Sequence, residues 1–416
     1  MVTTSGTADL PLHGGRVPRW LSARMARLGR VVVEALVREE GTAGVLERLA
    51  HPFWFQALGC AMGMDWHSSG ITTSVLGALK VGLAPVQEEL GLWLCGGRGN
   101  ASRKTPAELR AAAERTGGDG EAWTRASRLV AKVDNAAVQD GFHLYLHTFL
   151  VDRAGAWTVV QQGMQSHGSW ARRYHWTSTE LRSFVDQPHS AIHGLPVEVP
   201  IVNLTAAPAA EARSSCVQVV QELTERGLRR WDEWARQVRR SRPRLQLPDR
   251  HEVRAGDVVP RRLMAAVDLQ TEPPDDFESL LLTPGLGPRS LSSIAIIAEL
   301  VFGKPCRFSD PARFSYAHGG KDGHPFPVPT QVYDRTIRVW QDALRKARIG
   351  RDEKLEAIRR LDTHRRQLEF RRPARRLSEV EVVFERERRD SAGYGGRTAH
   401  GFAPPAQLNL PNLTAD

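Results

Sequence analysis

Lys132, Asp134, Gln161, Gln162, Asp65 and His67 have the side-chain types that act on a nucleobase or its sugar. A lysine held in an apolar helix loses proton affinity and becomes an amine nucleophile or base. Lys132 stands in the helical segment Ser127-Arg128-Leu129-Val130-Ala131-Lys132-Val133-Asp134-Asn135, where Arg128 and Lys132 share a face and Asp134 lies round the side. Gln161 and Gln162 close a predicted strand and point to its opposite faces. A glutamine both donates and accepts, which suits the Watson–Crick edge of an extruded base. Asp65 and His67 flank Trp66, either as an acid–base pair beside a stacking ring or as the start of a packed loop. The structural alternatives are a surface lysine paired with a carboxylate and strand-end glutamines facing water. His67, His143, His147, Asp65 and Asp134 lack the spacing of a metal site, because His143 and His147 are four apart on a strand rather than a helix. Neither a metal nor a cofactor is expected.

These residues need elements to position them. Trp20, Leu21, Met25, Leu28, Val31, Val32 and Leu36 follow helical spacing. Leu92 to Cys95 reads as a short buried strand that runs into a glycine-rich basic loop, 96–104, carrying Arg103 and Lys104. Helices are predicted at 105–117 and 120–139. Phe142 to Val151 and Trp157 to Gln162 alternate as a β-hairpin around Asp152-Arg153-Ala154-Gly155. His167, Trp170, Arg172, Arg173, His175 and Trp176 read as a basic, aromatic loop suited to stacking on DNA, or more plainly as a long ordered loop. The resulting class is α+β. A mixed α/β catalytic unit occupies 1–195, and 196–249 is an extended crossover followed by a long helix. A mainly helical unit spans 250–370, and 371–416 is a basic, then Gly/Pro-rich tail expected to be mobile.

The helical unit holds Leu281-Leu282-Thr283-Pro284-Gly285-Leu286-Gly287-Pro288-Arg289-Ser290-Leu291, which reads as a helix-hairpin-helix. Gly285 and Gly287 permit positive φ angles and close approach. Main-chain N–H groups at the start of the second helix then face a phosphate, with Pro288, Arg289 and Ser290 beside them. Such a contact positions duplex DNA without reading its sequence.

Beyond the second helix comes Phe302-Gly303-Lys304-Pro305-Cys306-Arg307-Phe308-Ser309-Asp310. Over residues 277–310 the chain resembles the helix-hairpin-helix DNA glycosylases, in which a Phe-Gly-x-Pro turn precedes an aspartate seven residues after its glycine. The resemblance implies that Asp310 supports the cationic sugar as the base leaves, or activates the nucleophile. It also implies a lysine nucleophile at position 289 in bifunctional members, but Arg289 stands there and cannot serve as an amine nucleophile. The alternative is that Ser309-Asp310-Pro311 caps a following helix.

Bulk properties agree with a polyanionic partner. The 416 residues include 57 Lys+Arg against 47 Asp+Glu, a formal net charge of +10. No apolar run is long enough to span a membrane, and no signal peptide is visible. The four cysteines, Cys60, Cys95, Cys216 and Cys306, have no CxxC spacing, which argues against a zinc ribbon and against a disulfide scaffold. A cytoplasmic, nucleoid-associated monomer is expected.

Five further segments carry a resemblance that spans the chain: Thr7 to Gly15, Asp65 to Gly70, Lys132 to Asn135, Val160 to Met164 and Ala317 to Gly323. They are similar to a bacterial and archaeal family known as a domain of unknown function, which implies a prokaryotic intracellular protein and no stated activity. The residues leave three functions open. One is a DNA glycosylase, with lyase activity if Lys132 is the nucleophile, acting on a modified or damaged base flipped from duplex DNA. Another is a metal-dependent structure-specific nuclease built on Asp134, Asp140 and Asp152. The third is a non-catalytic DNA-binding protein.

Overall fold

Leu92 to Arg98 forms β1, an edge strand of a five-stranded antiparallel sheet in the computed structural model of the chain. The structure describes residues 17, 19–64, 69–165, 170–194, 197, 200–241 and 273–312, with isolated positions at 342, 345, 359, 397–398 and 401–402. The strand order is β1-β2-β3-β4-β5, with β2 at Phe142–Asp152, β3 at Trp157–Gln165, β4 at Ala171–Thr177 and β5 at Ala191–His193. Asp152 closes the β2–β3 turn by accepting from the amide of Ala156 at 2.9 Å, and Gly155 supplies the positive φ of 90° that the turn requires.

Helices cover both faces of this sheet. On one side lie α1 (Arg19–Ala50, broken at Gly41), α2 (Pro52–Ala61) and α3 (Gly70–Leu83). A short α4 (Gln87–Leu90) leads into β1. On the other side lie α5 (Thr105–Thr116), α6 (Gly120–Lys132), a π-helical turn Val133–Ala137 and α7 (Ala210–Ser241). Local signals set the helix ends. Asp119 accepts from the amide of Ala122 at 2.8 Å to start α6, and Gly117 in the left-handed region ends α5.

Two more helices join the α6 side. Asp276 caps α8 (Phe277–Leu282), a turn follows, and α9 (Pro288–Phe302) ends at Gly303, whose φ is 68°. The strand Arg307–Phe308 (β7) then pairs with Ile201–Val202 (β6). Phe277, Leu281, Leu286 and Ile294 belong to the same buried cluster as Trp93, Leu129, Val159 and Trp176. The core therefore runs unbroken from the sheet through α7 into α8 and α9, across the boundaries expected near 195 and 250.

The expected mixture of helices and antiparallel strands is present. One segment differs. Of the residues expected to form a basic, aromatic loop, Arg172, Arg173, His175 and Trp176 lie on β4, buried along its whole length, and His167 is outside the described residues. Alternation of apolar and polar residues is absent there because neither face of the strand meets water. Arg172, Arg173 and His175 are held in the interior by partners from other elements.

Candidate functional site

Opposite faces of β3 carry two separate polar clusters, as the neighbouring Gln161 and Gln162 imply. On the α6 face Gln161 is fully buried. Its amide nitrogen donates to Asp134 and, at 3.3 Å, to the carbonyl of Val130. Because a carboxylate and a carbonyl only accept, the amide oxygen must be the atom that faces His147 Nδ1 at 2.7 Å. His147 Nδ1 is therefore protonated, and Nε2 accepts from the Ser127 hydroxyl at 2.8 Å. Burial lowers the His147 pKa, which fits this neutral ring. Asp134 also accepts from Trp176 Nε1 at 3.0 Å and from His189 Nε2 at 2.5 Å. Lys132 stands apart from this chain of bonds. It is half-buried, burial lowers its pKa, and its ammonium donates to the Leu286 carbonyl between α8 and α9.

Next to this network, Arg172 lies between two carboxylates. It reaches Asp140 at 2.7 Å and Asp310 at 2.8 Å, and all three side chains are buried. Tyr174 donates to Asp140 at 2.7 Å, and Asp310 accepts from the amides of Val197 and Ala312 at 2.5 and 2.9 Å. This overturns one expectation, a surface position for Arg172. Arg172 cannot meet DNA from the interior, and Asp310 has both oxygens engaged by Arg172 and by main-chain amides, which is the geometry of a carboxylate that holds segments together. The bond from Ala312 keeps part of the capping role. The nuclease set also separates. Asp140 serves Arg172, Asp134 serves the glutamine network, and Asp152 sits at the far end of β2 accepting from Thr42 at 2.9 Å. Among the described residues no three His, Cys, Asp or Glu side chains converge as a metal site.

The opposite face, toward α1–α3, carries Arg173, also fully buried and so removed from the expected DNA contacts. It donates to His175 Nε2 at 2.9 Å, Gln56 at 2.9 Å and Thr72 at 3.2 Å, and its guanidinium lies over the Phe55 ring. Further along this face, Gln162 donates to the Ser69 carbonyl at 3.1 Å and to the Tyr145 hydroxyl. Its amide oxygen is buried and has no hydrogen-bond partner among the described residues. Tyr145 reaches it because β2 is bulged. Leu144 faces Gly163 and Leu146 faces Gln162, so Tyr145 is the extra residue. Asp65 and His67 lie outside the described residues. Ser69 follows them closely in the sequence.

The turn between α8 and α9 lies at the sheet end where β2 begins. Gln139, just before β2, donates to the Pro288 carbonyl at 3.1 Å. Pro284 and Gly285 are exposed and Leu286 is buried. Gly285 takes the positive φ expected of it, 79°. Gly287 does not. It is extended, with φ −118° and ψ −178°, and a Cβ there would meet nothing within 4 Å. Pro288 opens α9, no side chain caps that helix, and Arg289 is exposed with Ser290 half-exposed beside it. Arg103 and Lys104 are exposed on the 3-10 helix Gly99–Lys104 that continues β1, at this same end of the sheet.

Residues 6–328 match the model of a family described as "Protein of unknown function (DUF763)". The chain belongs to that family. The span matched by DUF763 takes in the whole sheet, both polar clusters and the α8–α9 turn. Comparison with curated proteins and with solved structures gives no match. No described helix is long and apolar enough to cross a membrane. Sequence reasoning passed over two residues of the DUF763 chain at this sheet end, Arg98, whose guanidinium carbon lies 5.7 Å from the Tyr145 ring centre, and the exposed Met164, and it weighed Met164's exposed partner His143 only as a metal ligand. No sequence signal marked Met164, because its exposure near the end of β3 follows from the packing.

Proposed function

We propose that this protein binds duplex DNA and acts on a base extruded from it, as a DNA glycosylase. The reading rests on one observation: the α8–α9 turn and the basic Arg98–Lys104 segment flank the same end of the sheet, where Gln162 keeps a buried acceptor that no described residue fills. The turn reads as a helix-hairpin-helix whose exposed Gly285 lets the backbone approach a phosphate, with the α9 dipole adding favourable charge. Arg289, Arg103 and Lys104 supply cations around it, and Arg128 is exposed on α6 one turn before Lys132. In the reaction, water attacks the sugar C1′, the N-glycosidic bond breaks, and the base leaves with the electron pair and takes up a proton. Lys132 is the candidate nucleophile for a lyase variant of this chemistry. Burial moves its pKa in the required direction, and its amine lies against the turn.

The test uses duplexes carrying modified or damaged bases, with and without chelator, followed by alkali. Alkali-dependent breaks that survive chelation are the expected result. Gly285→Val should weaken duplex affinity at least about tenfold, because the left-handed turn rejects a branched side chain. Intact affinity in that variant would remove the turn from the interface, and absence of base release on every duplex would remove the glycosylase reading.

A further inference from the structure

We infer that the sheet end between Arg98 and Met164 is a recess for a single unstacked nucleobase, with Gln162 and Tyr145 reading its Watson–Crick edge and Met164 filling the gap the base leaves in the duplex. This rests on the DNA-binding reading above and specifies where the base goes.

Gln162 is the base-reading glutamine and Gln161 is not. Every polar atom of Gln161 is engaged, by Asp134, Val130 and His147. The orientation of Gln162 is fixed by the Ser69 carbonyl, which only accepts, so the amide nitrogen points there and the oxygen is left buried, without a partner among the described residues, beneath the half-buried Tyr145. The Tyr145 hydroxyl accepts from Gln162, and its own O–H hydrogen has no acceptor among the described residues. Burial raises the Tyr145 pKa, so this group stays a donor. An acceptor next to a donor matches every nucleobase. Adenine and cytosine present an amino group beside a ring nitrogen, and guanine and thymine a carbonyl beside a ring N–H.

The surroundings point to DNA as the source of that base. Met164 lies two residues beyond Gln162 on the same face of β3, about 7 Å along the strand, or roughly two base-stack spacings. It is 41% exposed, and only Val81 on α3 is a more exposed large hydrophobic residue among those described. His143 is its cross-strand partner and is also exposed. Apolar side chains in such positions enter base steps and hold them open. Arg98 covers the Tyr145 ring at 5.7 Å through a contact at the protein surface, which a phosphate readily replaces as the base enters.

The experiment compares a fully paired duplex with one carrying 2-aminopurine opposite an abasic position. Binding is followed by anisotropy and unstacking by 2-aminopurine fluorescence, using the full chain. The wild type should bind both duplexes and raise the fluorescence of the second. Met164→Ala should keep its affinity for the paired duplex within about twofold and cut the fluorescence rise at least about fivefold. Tyr145→Phe keeps the ring under Arg98 and removes only the hydroxyl, so it should lower the preference for the unpaired base about tenfold. If the wild type binds both duplexes with no fluorescence rise, or if both variants behave as the wild type, the recess is overturned while DNA binding stands. If the wild type binds neither duplex, the DNA reading fails and takes the recess with it.

Discussion

Arg172 determines how firmly the sheet end is built. One buried guanidinium answers two buried carboxylates, Asp140 and Asp310, and a stack over Phe142 at 4.5 Å completes its surroundings. Burial raises the Asp140 pKa even against the pull of Arg172, a sign that desolvation competes strongly with pairing here. Losing the cation leaves two like charges facing each other in the interior. Losing Asp310 leaves a one-to-one pair. Arg172→Met should therefore cost about 3–5 kcal/mol, the usual cost of breaking a buried pair, and Asp310→Asn distinctly less. Equilibrium denaturation in urea measures both. An equal cost for the two variants would mean that repulsion between the two carboxylates is not what Arg172 relieves. If Asp310→Asn abolished base release without loss of stability, Asp310 would count as a catalytic residue.

At the scale of elements, strands and helices with one clear period were legible in the sequence. The β2–β3 hairpin and α5 fall within a few residues of their expected bounds, the long helix α7 is present, and the helix expected over 120–139 is α6 followed by the π-helical turn Val133–Ala137. β4 was not legible, because Arg172, Arg173 and His175 so close together look like a surface until the distant Asp310, Gln56 and Thr72 are known to meet the arginines. Gln162 was legible as one of a pair, but only the bulge at Tyr145 separates it from Gln161. Lys132 was legible as a half-buried lysine, yet its partner is a carbonyl 154 residues away in the α8–α9 turn rather than a nearby carboxylate. That bond ties α6 to the turn, so the turn should loosen without it. In Lys132→Met, amide exchange across residues 283–291 should quicken about fivefold, while exchange in β2 and β3 stays unchanged. Uniform exchange in the variant would show that packing of Leu286 and Leu291 alone holds the turn.

At the scale of the molecule, one core joins the α6 face of the sheet to α8 and α9, a second packs the other face against α1–α3, and buried histidines lie on both faces. The α8–α9 turn is thereby in fixed register with the sheet. Because both cores share the strands of one sheet, acid unfolding is expected as a single event. Burial lowers the His147 and His175 pKa values, and burial together with Arg48 lowers that of His51 to about 4. Each ring is neutral when folded and accepts a proton near pH 6.5 once the chain unfolds. Protonation thus favours the unfolded chain. The stability these histidines contribute is complete above about pH 6.5 and lost as pH falls through their folded values, at up to about 1.4 kcal/mol per pH unit for each ring. The thermal midpoint should fall steadily between pH 6.5 and 4 in one transition. His51→Asn keeps an acceptor for the Trp54 amide at the start of α2 but removes the titration, so it should flatten that slope. Two separate transitions, or a midpoint unmoved by acid, would contradict both the shared sheet and the neutral rings packed beside it.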